Sequence, residues 1–304
     1  LKQVTIDTTV QEKNITHPTD SKLYHRAITK LAKAAKDRGI QLRQTYVRVS
    51  KQMAAQVGRY AHAKQFRRMR RGLKKMRTWL GRVIRDVGRK VPEPDAGLWH
   101  LLKLCERLHA QEPTDSNKLY SLHEPDVKCI SKGKAHKRYE FGQKVSIATT
   151  NRGNWIVSAE LCRGNPYDGH TLAAAIASVE SNTVIAVTDA YVDKGYRGHN
   201  YEGEAMIHIS GSSNRNLTRT QKKRKRRRSA VEPKIGHLKR ENRLGRCFLK
   251  GLVGDAINAV LAAAGSNLRK LLAALAAALV WSLTGQLTRH RTSASPTQSM
   301  LIAA

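Results

Sequence analysis

Val184-Ile185-Ala186-Val187-Thr188-Asp189-Ala190-Tyr191-Val192-Asp193-Lys194-Gly195-Tyr196-Arg197-Gly198-His199 is the stretch on which the reading of the whole chain turns. Its apolar opening, Val184 to Val187, reads as a buried strand, and the chain turns polar at Asp193. A strand that ends in a carboxylate and two glycines delivers that acid into a tight, cation-lined turn. Gly195 and Gly198 admit backbone geometries that a side chain forbids, so the main chain can approach a phosphate closely. Lys194 and Arg197 bring charge to the same phosphate, and Tyr196 a flat face or a hydroxyl. An ordinary strand-to-loop turn with solvated charges has the same outline. Sequence farther along decides between them.

Downstream, Lys222-Lys223-Arg224-Lys225-Arg226-Arg227-Arg228 is the densest cation run in the chain, and it leads into Ser229-Ala230-Val231-Glu232-Pro233-Lys234-Ile235-Gly236-His237-Leu238-Lys239. Pro233 near the start of that segment predicts a helix. On it Glu232, Ile235 and Lys239 share a face. Upstream, Val4-Thr5-Ile6-Asp7-Thr8-Thr9-Val10 alternates apolar and polar residues of β-branched type and predicts a strand. Asp7 falls in its middle. It either lies on a solvated face or has a task, and the second carboxylate-bearing strand favours the task.

Composition narrows the class of function. The chain has 304 residues with 56 Lys and Arg against 23 Asp and Glu, a formal charge of +33. Such an excess points to a polyanion, with nucleic acid ahead of an anionic membrane surface. Aromatic residues make up 5%, which disfavours stacking along single strands and favours phosphate contacts to double-stranded DNA. Cys105, Cys129, Cys162 and Cys247 are scattered and complete no zinc spacing with the histidines, so a reducing, cytoplasmic setting is expected. No signal peptide opens the chain, and Leu1 at the start fits a missing N-terminal part or equally an unusual start codon or gene-boundary choice.

Thr19-Asp20-Ser21 marks a helix start, and Leu23, Ala27, Ile28, Leu31, Ala34 and Ala35 recur at helical spacing until Gly39. Further helices are predicted over about 44–60, 63–87 and 98–109, the second of these carrying Arg67, Arg68, Arg70, Arg71, Lys74, Lys75 and Arg77. Residues 21–118 thus read as a basic helical insertion facing DNA. Leu119 to Leu122, Tyr139 to Ala148 and Trp155 to Leu161 read as strands, with a hairpin turn at Asn151–Asn154 and a basic loop at 132–138. A helix is expected over about 172–179. Residues 252–283 are rich in Ala and Leu and read as packed helices, because their most apolar part is shorter than the roughly 20 residues of a membrane span. From Gly285 a mobile tail is expected.

Asp193-Lys194-Gly195-Tyr196-Arg197-Gly198 resembles the second-aspartate motif of the DDE transposases of bacterial insertion sequences. Arg228, Glu232 and Lys239 match the arginine, glutamate and lysine of that family's third motif at its spacing of three and six intervening residues, with Lys225 where a tyrosine is usual. Ser121 to Lys134 and Tyr139 to Gly142 look like the family's central strands. The resemblance implies an α/β fold, an RNase H-like mixed β-sheet flanked by helices with the basic insertion after the first strand. Residues 1–20 and 119–284 then form the catalytic domain, and 285–304 a flexible tail. It implies Asp7, Asp193 and Glu232 as catalytic residues and metal ligands holding Mg²⁺ (or Mn²⁺). Asp20, Asp126 and Asp189 are the rivals, read as a helix cap, a loop acid and a neighbour of Asp193. Two such ions about 3.5–4 Å apart activate the attacking oxygen and stabilise the leaving one. By the same resemblance Lys194, Tyr196, Arg197, Lys223, Arg224, Arg226, Arg228 and Lys239 contact DNA. Family members carry an N-terminal domain that recognises the element's ends; almost nothing precedes Asp7, so its absence and a truncated copy are expected.

The expected activity is metal-dependent cleavage at insertion-sequence ends and strand transfer into target DNA. The expected protein is homo-oligomeric on DNA, nucleoid-associated and without a membrane partner. A nuclease of the same fold lacking strand transfer, and a non-catalytic basic DNA-binding protein, are the alternatives.

Overall fold

A computed structural model of the chain describes residues 1–131, 137–211 and 217–292, with side chains described as far as Ser282. Residues 132–136 of the expected basic loop and 293–304 of the expected tail lie outside the described residues.

The sheet is built around β1 (Gln3–Lys13). β3 (Tyr139–Thr150) runs antiparallel along nearly its whole length, from Val4 beside Thr150 to Glu12 beside Gly142. The far edge of β3 is shared by β2 (Lys128–Ser131) at one end and β4 (Ile156–Cys162) at the other, both antiparallel. The other edge of β1 pairs in parallel with β5 (Asp189–Val192) at its start and with β7 (Arg246–Cys247) at its end. β6 (Met206–Ile209) adds in parallel to β5. This curled mixed sheet of seven strands, flanked by helices, is compatible with the RNase H-like fold.

Both faces of β1 are covered, which explains why its polar residues are buried as well as its apolar ones. On one face Val4, Ile6, Ala190 and Val192 pack against α5 (Leu172–Thr183) through Leu172, Ile176 and Val179. On the other, Val145 and Ile147 meet Leu238 of α7 (Val231–Glu241) and Ala259, Ala262 and Ala263 of α8 (Gly251–Thr292). Lys13 fixes α8 to β1: its Nζ lies 2.9 Å from Asp255 and 3.2 Å from Glu124, with all three side chains buried. Between β1 and β2 stand α1 (Asp20–Asp37), α2 (Val47–His62), α3 (Phe66–Lys90) and α4 (Ala96–Ala110) around a core of their own. Thr19 caps α1, and the Asp95 side chain caps α4 through the Gly97 and Leu98 amides.

Three expectations are corrected. Val184–Val187 is not a strand: α5 ends at Thr183, Val184 takes a left-handed φ of 55° and is 93% exposed, and the strand begins at Asp189. Leu119–Leu122 is irregular, and Leu119 and Leu122 are buried in the helical core instead of a sheet. The helix of α8 continues through Gly285 to Thr292, past the expected start of the tail.

Candidate active site

Two of the acids stand on or just after neighbouring strands. The parallel pairing of β1 and β5 sets Gln3 beside Asp189, Val4 beside Ala190 and Thr5 beside Tyr191, an offset of 186. The pairing ends there: Asp7 lies two residues further along β1, on the same face as Thr5, and Asp193 is the first residue after β5.

Asp193 follows β5 directly and caps a 3-10 turn over Lys194–Tyr196, its Oδ1 accepting from the Gly195 amide at 2.7 Å. Gly195 sits close against two acids: a Cβ there would lie 2.9 Å from Asp193 Oδ1 and 3.3 Å from Asp168 Oδ2. Gly198 leaves the turn with a φ of +74°, a conformation glycine adopts without strain. Asp7 Oδ1 accepts from the Thr8 amide at 2.8 Å.

Asp168 is a fourth carboxylate that the sequence reading passed over. Its Oδ1 accepts from the Thr8 hydroxyl at 2.9 Å and from Lys144 Nζ at 2.9 Å, and its Oδ2 borders Gly195. The signal available was Asp168-Gly169-His170 at the head of a helix. Gly169 is crowded there, since a Cβ would come within 3.0 Å of His199 Cα. Tyr196, expected to touch DNA, is fully buried among Leu172, Ile176 and Val192. Burial pushes its hydroxyl far above the ordinary tyrosine range, and the charges of Asp7 and Asp168 push the same way. It is a core residue.

α7 lies across the Asp7 face. The Ala230 carbonyl just before it accepts from Asn154 Nδ2 at 3.0 Å, next to the turn whose Asn151 amide binds the Gln3 carbonyl. Its far end leads into β7, beside Glu12 and Lys13. Leu238 of the helix packs on Ile147, the β3 partner of Asp7, and Glu232 lies in its first turn. Its carboxylate points elsewhere: Oε1 is 2.6 Å from Arg228 Nη2, and the Glu232 side chain is 62% exposed while that of Arg228 is 12% exposed. Among the described residues no three acids, histidines or cysteines gather tightly enough to hold a metal ion. Asp7, Asp193 and Glu232 form no such group, and Glu232 is bound to Arg228.

The expected cations border this site. Lys194 and Arg197 are exposed on the Asp193 turn. α6 (Arg219–Arg226) carries Lys223 and Arg226 exposed and Arg224 half-buried, and the Arg224 carbonyl accepts from Asn151 Nδ2 at 3.1 Å. That Nδ2 also lies 3.4 Å from Thr5 Oγ1, so Asn151 ties the cation run to the strand that carries Asp7. Arg228 and Lys239 are half-buried. Of the rivals, Asp189 is committed to structure: although burial works to raise its pKa, His208, Thr188 and Gln3 bind it and hold it below the usual carboxylate value. Asp20 lies in the first turn of α1, and Asp126 is an exposed loop acid.

Residues 190–272 match the family described as the transposase DDE domain. The matched span, a little over a quarter of the chain, holds Asp193, Glu232 and the intervening cation run and leaves Asp7 outside it. It bears out the resemblance read from the Asp193 and Glu232 motifs. A protein of Rhizobium meliloti, "Uncharacterized protein ORF8 in nfe locus", is 54% identical over 66 residues, 22% of this chain and 32% of that protein. The chain thus spans about a third of the length of that curated relative. No solved structure matches.

Proposed function

We propose that the chain is a transposase that cleaves DNA at insertion-sequence ends and joins the freed 3′ end to target DNA, with Asp7, Asp193 and Glu232 holding Mg²⁺ or Mn²⁺. The observation that carries this reading is the match of residues 190–272, with Asp193 and Glu232 in it, to a transposase DDE domain, and Asp7 lies on the strand that pairs with the one leading to Asp193. The donor set fits the metal: the acids offer hard carboxylate oxygens with no thiol or imidazole among them, the set that Mg²⁺ and Mn²⁺ accept. When bound, such ions supply Lewis acidity at the scissile phosphate and lower the pKa of the attacking water or 3′-hydroxyl.

The protein's own residues do the rest. Asp7 presents its oxygens from β1, and Asp193 from the turn that follows the neighbouring strand β5. Glu232 joins them by turning away from Arg228, and Arg228 is then left to bind a phosphate oxygen. Lys194, Arg197, Lys223 and Arg226 grip the DNA backbone around the site, so the affinity is strongly salt-dependent.

The test is cleavage of a labelled duplex carrying the element's end, in Mg²⁺, by the protein and by Asp193→Asn and Glu232→Gln. Metal-dependent nicking lost in both variants, with duplex binding retained, is the expected result. Undiminished nicking in either variant overturns the assignment. Nicking without a joined product would instead identify a nuclease.

A further inference from the structure

We propose that α8 is a self-association element whose outer face pairs with α8 of a second copy of this chain. The helix has two unlike sides. Asp255, Ala259, Ala262, Ala263 and Ser266 are buried against the sheet. The opposite side, which water should make polar in a soluble helix, is apolar instead. Ile257, Leu261, Ala264, Leu268, Leu271 and Leu275 follow one another at alternating intervals of four and three residues. That is the 3.5-residue repeat of a coiled-coil seam. Nine large aliphatic side chains between Val253 and Leu279 stand 46–73% exposed.

The exposed area is enough for a dimer. At roughly 60–100 Å² of apolar surface apiece, nine such side chains offer about 500–900 Å² per copy, where stable interfaces bury around 800 Å² per partner. Single exposed leucines need no explanation, but a continuous patch of this size does. A second copy fits because the stripe repeats along a straight helix and is self-complementary about a two-fold axis.

A lipid bilayer is the competing occupant, since Gly251–Ser282 is long and apolar enough to cross a membrane. Its first half is not available to lipid. Asn267 binds the Ile156 amide at 3.1 Å and its carbonyl at 2.8 Å, Asp255 holds Lys13, and Arg269 holds Glu241 at 2.7 Å. The uninterrupted apolar run beyond these anchors, Leu271 to Trp281, spans about 16 Å of helix against a hydrocarbon core of about 30 Å.

Sedimentation velocity on the full chain tests the proposal, in about 0.5 M NaCl to screen repulsion between two strongly basic copies. The expected species is twice the 34.0 kDa chain, 68.0 kDa, and Leu268→Glu with Leu275→Glu converts it to the monomer with an unchanged circular dichroism spectrum. Should that variant fail to fold, Leu268→Cys decides, because a seam contact gives a bismaleimide-linked dimer. A chain that stays monomeric up to about 100 µM overturns the proposal, as does a variant that remains dimeric or a monomer that co-sediments with phosphatidylglycerol vesicles. None of these outcomes depends on catalysis.

Discussion

Arg228→Met should tighten divalent-metal binding in the absence of DNA. Glu232 is held at 2.6 Å by Arg228, and in the proposed function it leaves that partner to join Asp7 and Asp193. The energy of the contact therefore opposes assembly of the site. Glu232 is 62% exposed, so the pair belongs with solvent-screened ion pairs, worth about 0.2–1 kcal/mol. The low exposure of the Arg228 side chain, 12%, places it toward the upper end of that range. Removing the contact should strengthen binding by up to about fivefold, 1 kcal/mol being close to that factor. Mn²⁺ titration followed by electron paramagnetic resonance reads this directly. The control is the same substitution in a Glu232→Gln background, where no gain is expected. An unchanged or weaker affinity in Arg228→Met refutes the movable third ligand. An equal gain in both backgrounds refutes it too, because the effect would then be the through-space charge of the guanidinium.

Lys13→Met should destabilise the fold, since it leaves Asp255 and Glu124 buried without their cation. Breaking a buried pair costs about 3–5 kcal/mol, so thermal unfolding should drop by on the order of 10 °C; a change under about 2 °C would show the cluster to be dispensable. Mild acid should also weaken the helical insertion. Burial, reinforced by nearby cations, lowers the pKa of His25 and His109 below their ordinary 6.5. The unfolded chain then takes up protons first as the pH falls, so stability is full above 6.5 and declines below it. Calorimetric melts between neutral pH and about pH 5 should show a falling Tm, and a flat or rising profile would contradict the assignment.

The sequence displays the residue types of the site but not their meeting. Asp7 is legible as a charge in the middle of a β-branched strand, and Asp193 as an acid before two glycines. That their segments are neighbours is a property of register, which pairs residues 186 apart and leaves no trace in either segment alone. The helices of the insertion are legible because their apolar spacing is long and regular. Short apolar runs are not: Val184–Val187 and Leu119–Leu122 have the composition of strands, yet the first follows a helix end and the second is buried in the helical core, while β6 is only four residues long. Tyr196 shows the same limit at a single residue, since an aromatic ring in a glycine-rich turn reads equally as a contact surface or as a plug, and here α5 supplies the socket. Glu232 is the instructive case. Asp7 stands on a paired strand and Asp193 caps the turn that follows its neighbour, whereas Glu232 is carried on a helix and bound to a cation one turn away. In the proposed function the first two acids are set by the sheet and the rotation of one side chain brings the third, and the cation that restrains it is the one best placed to take up a phosphate when it lets go.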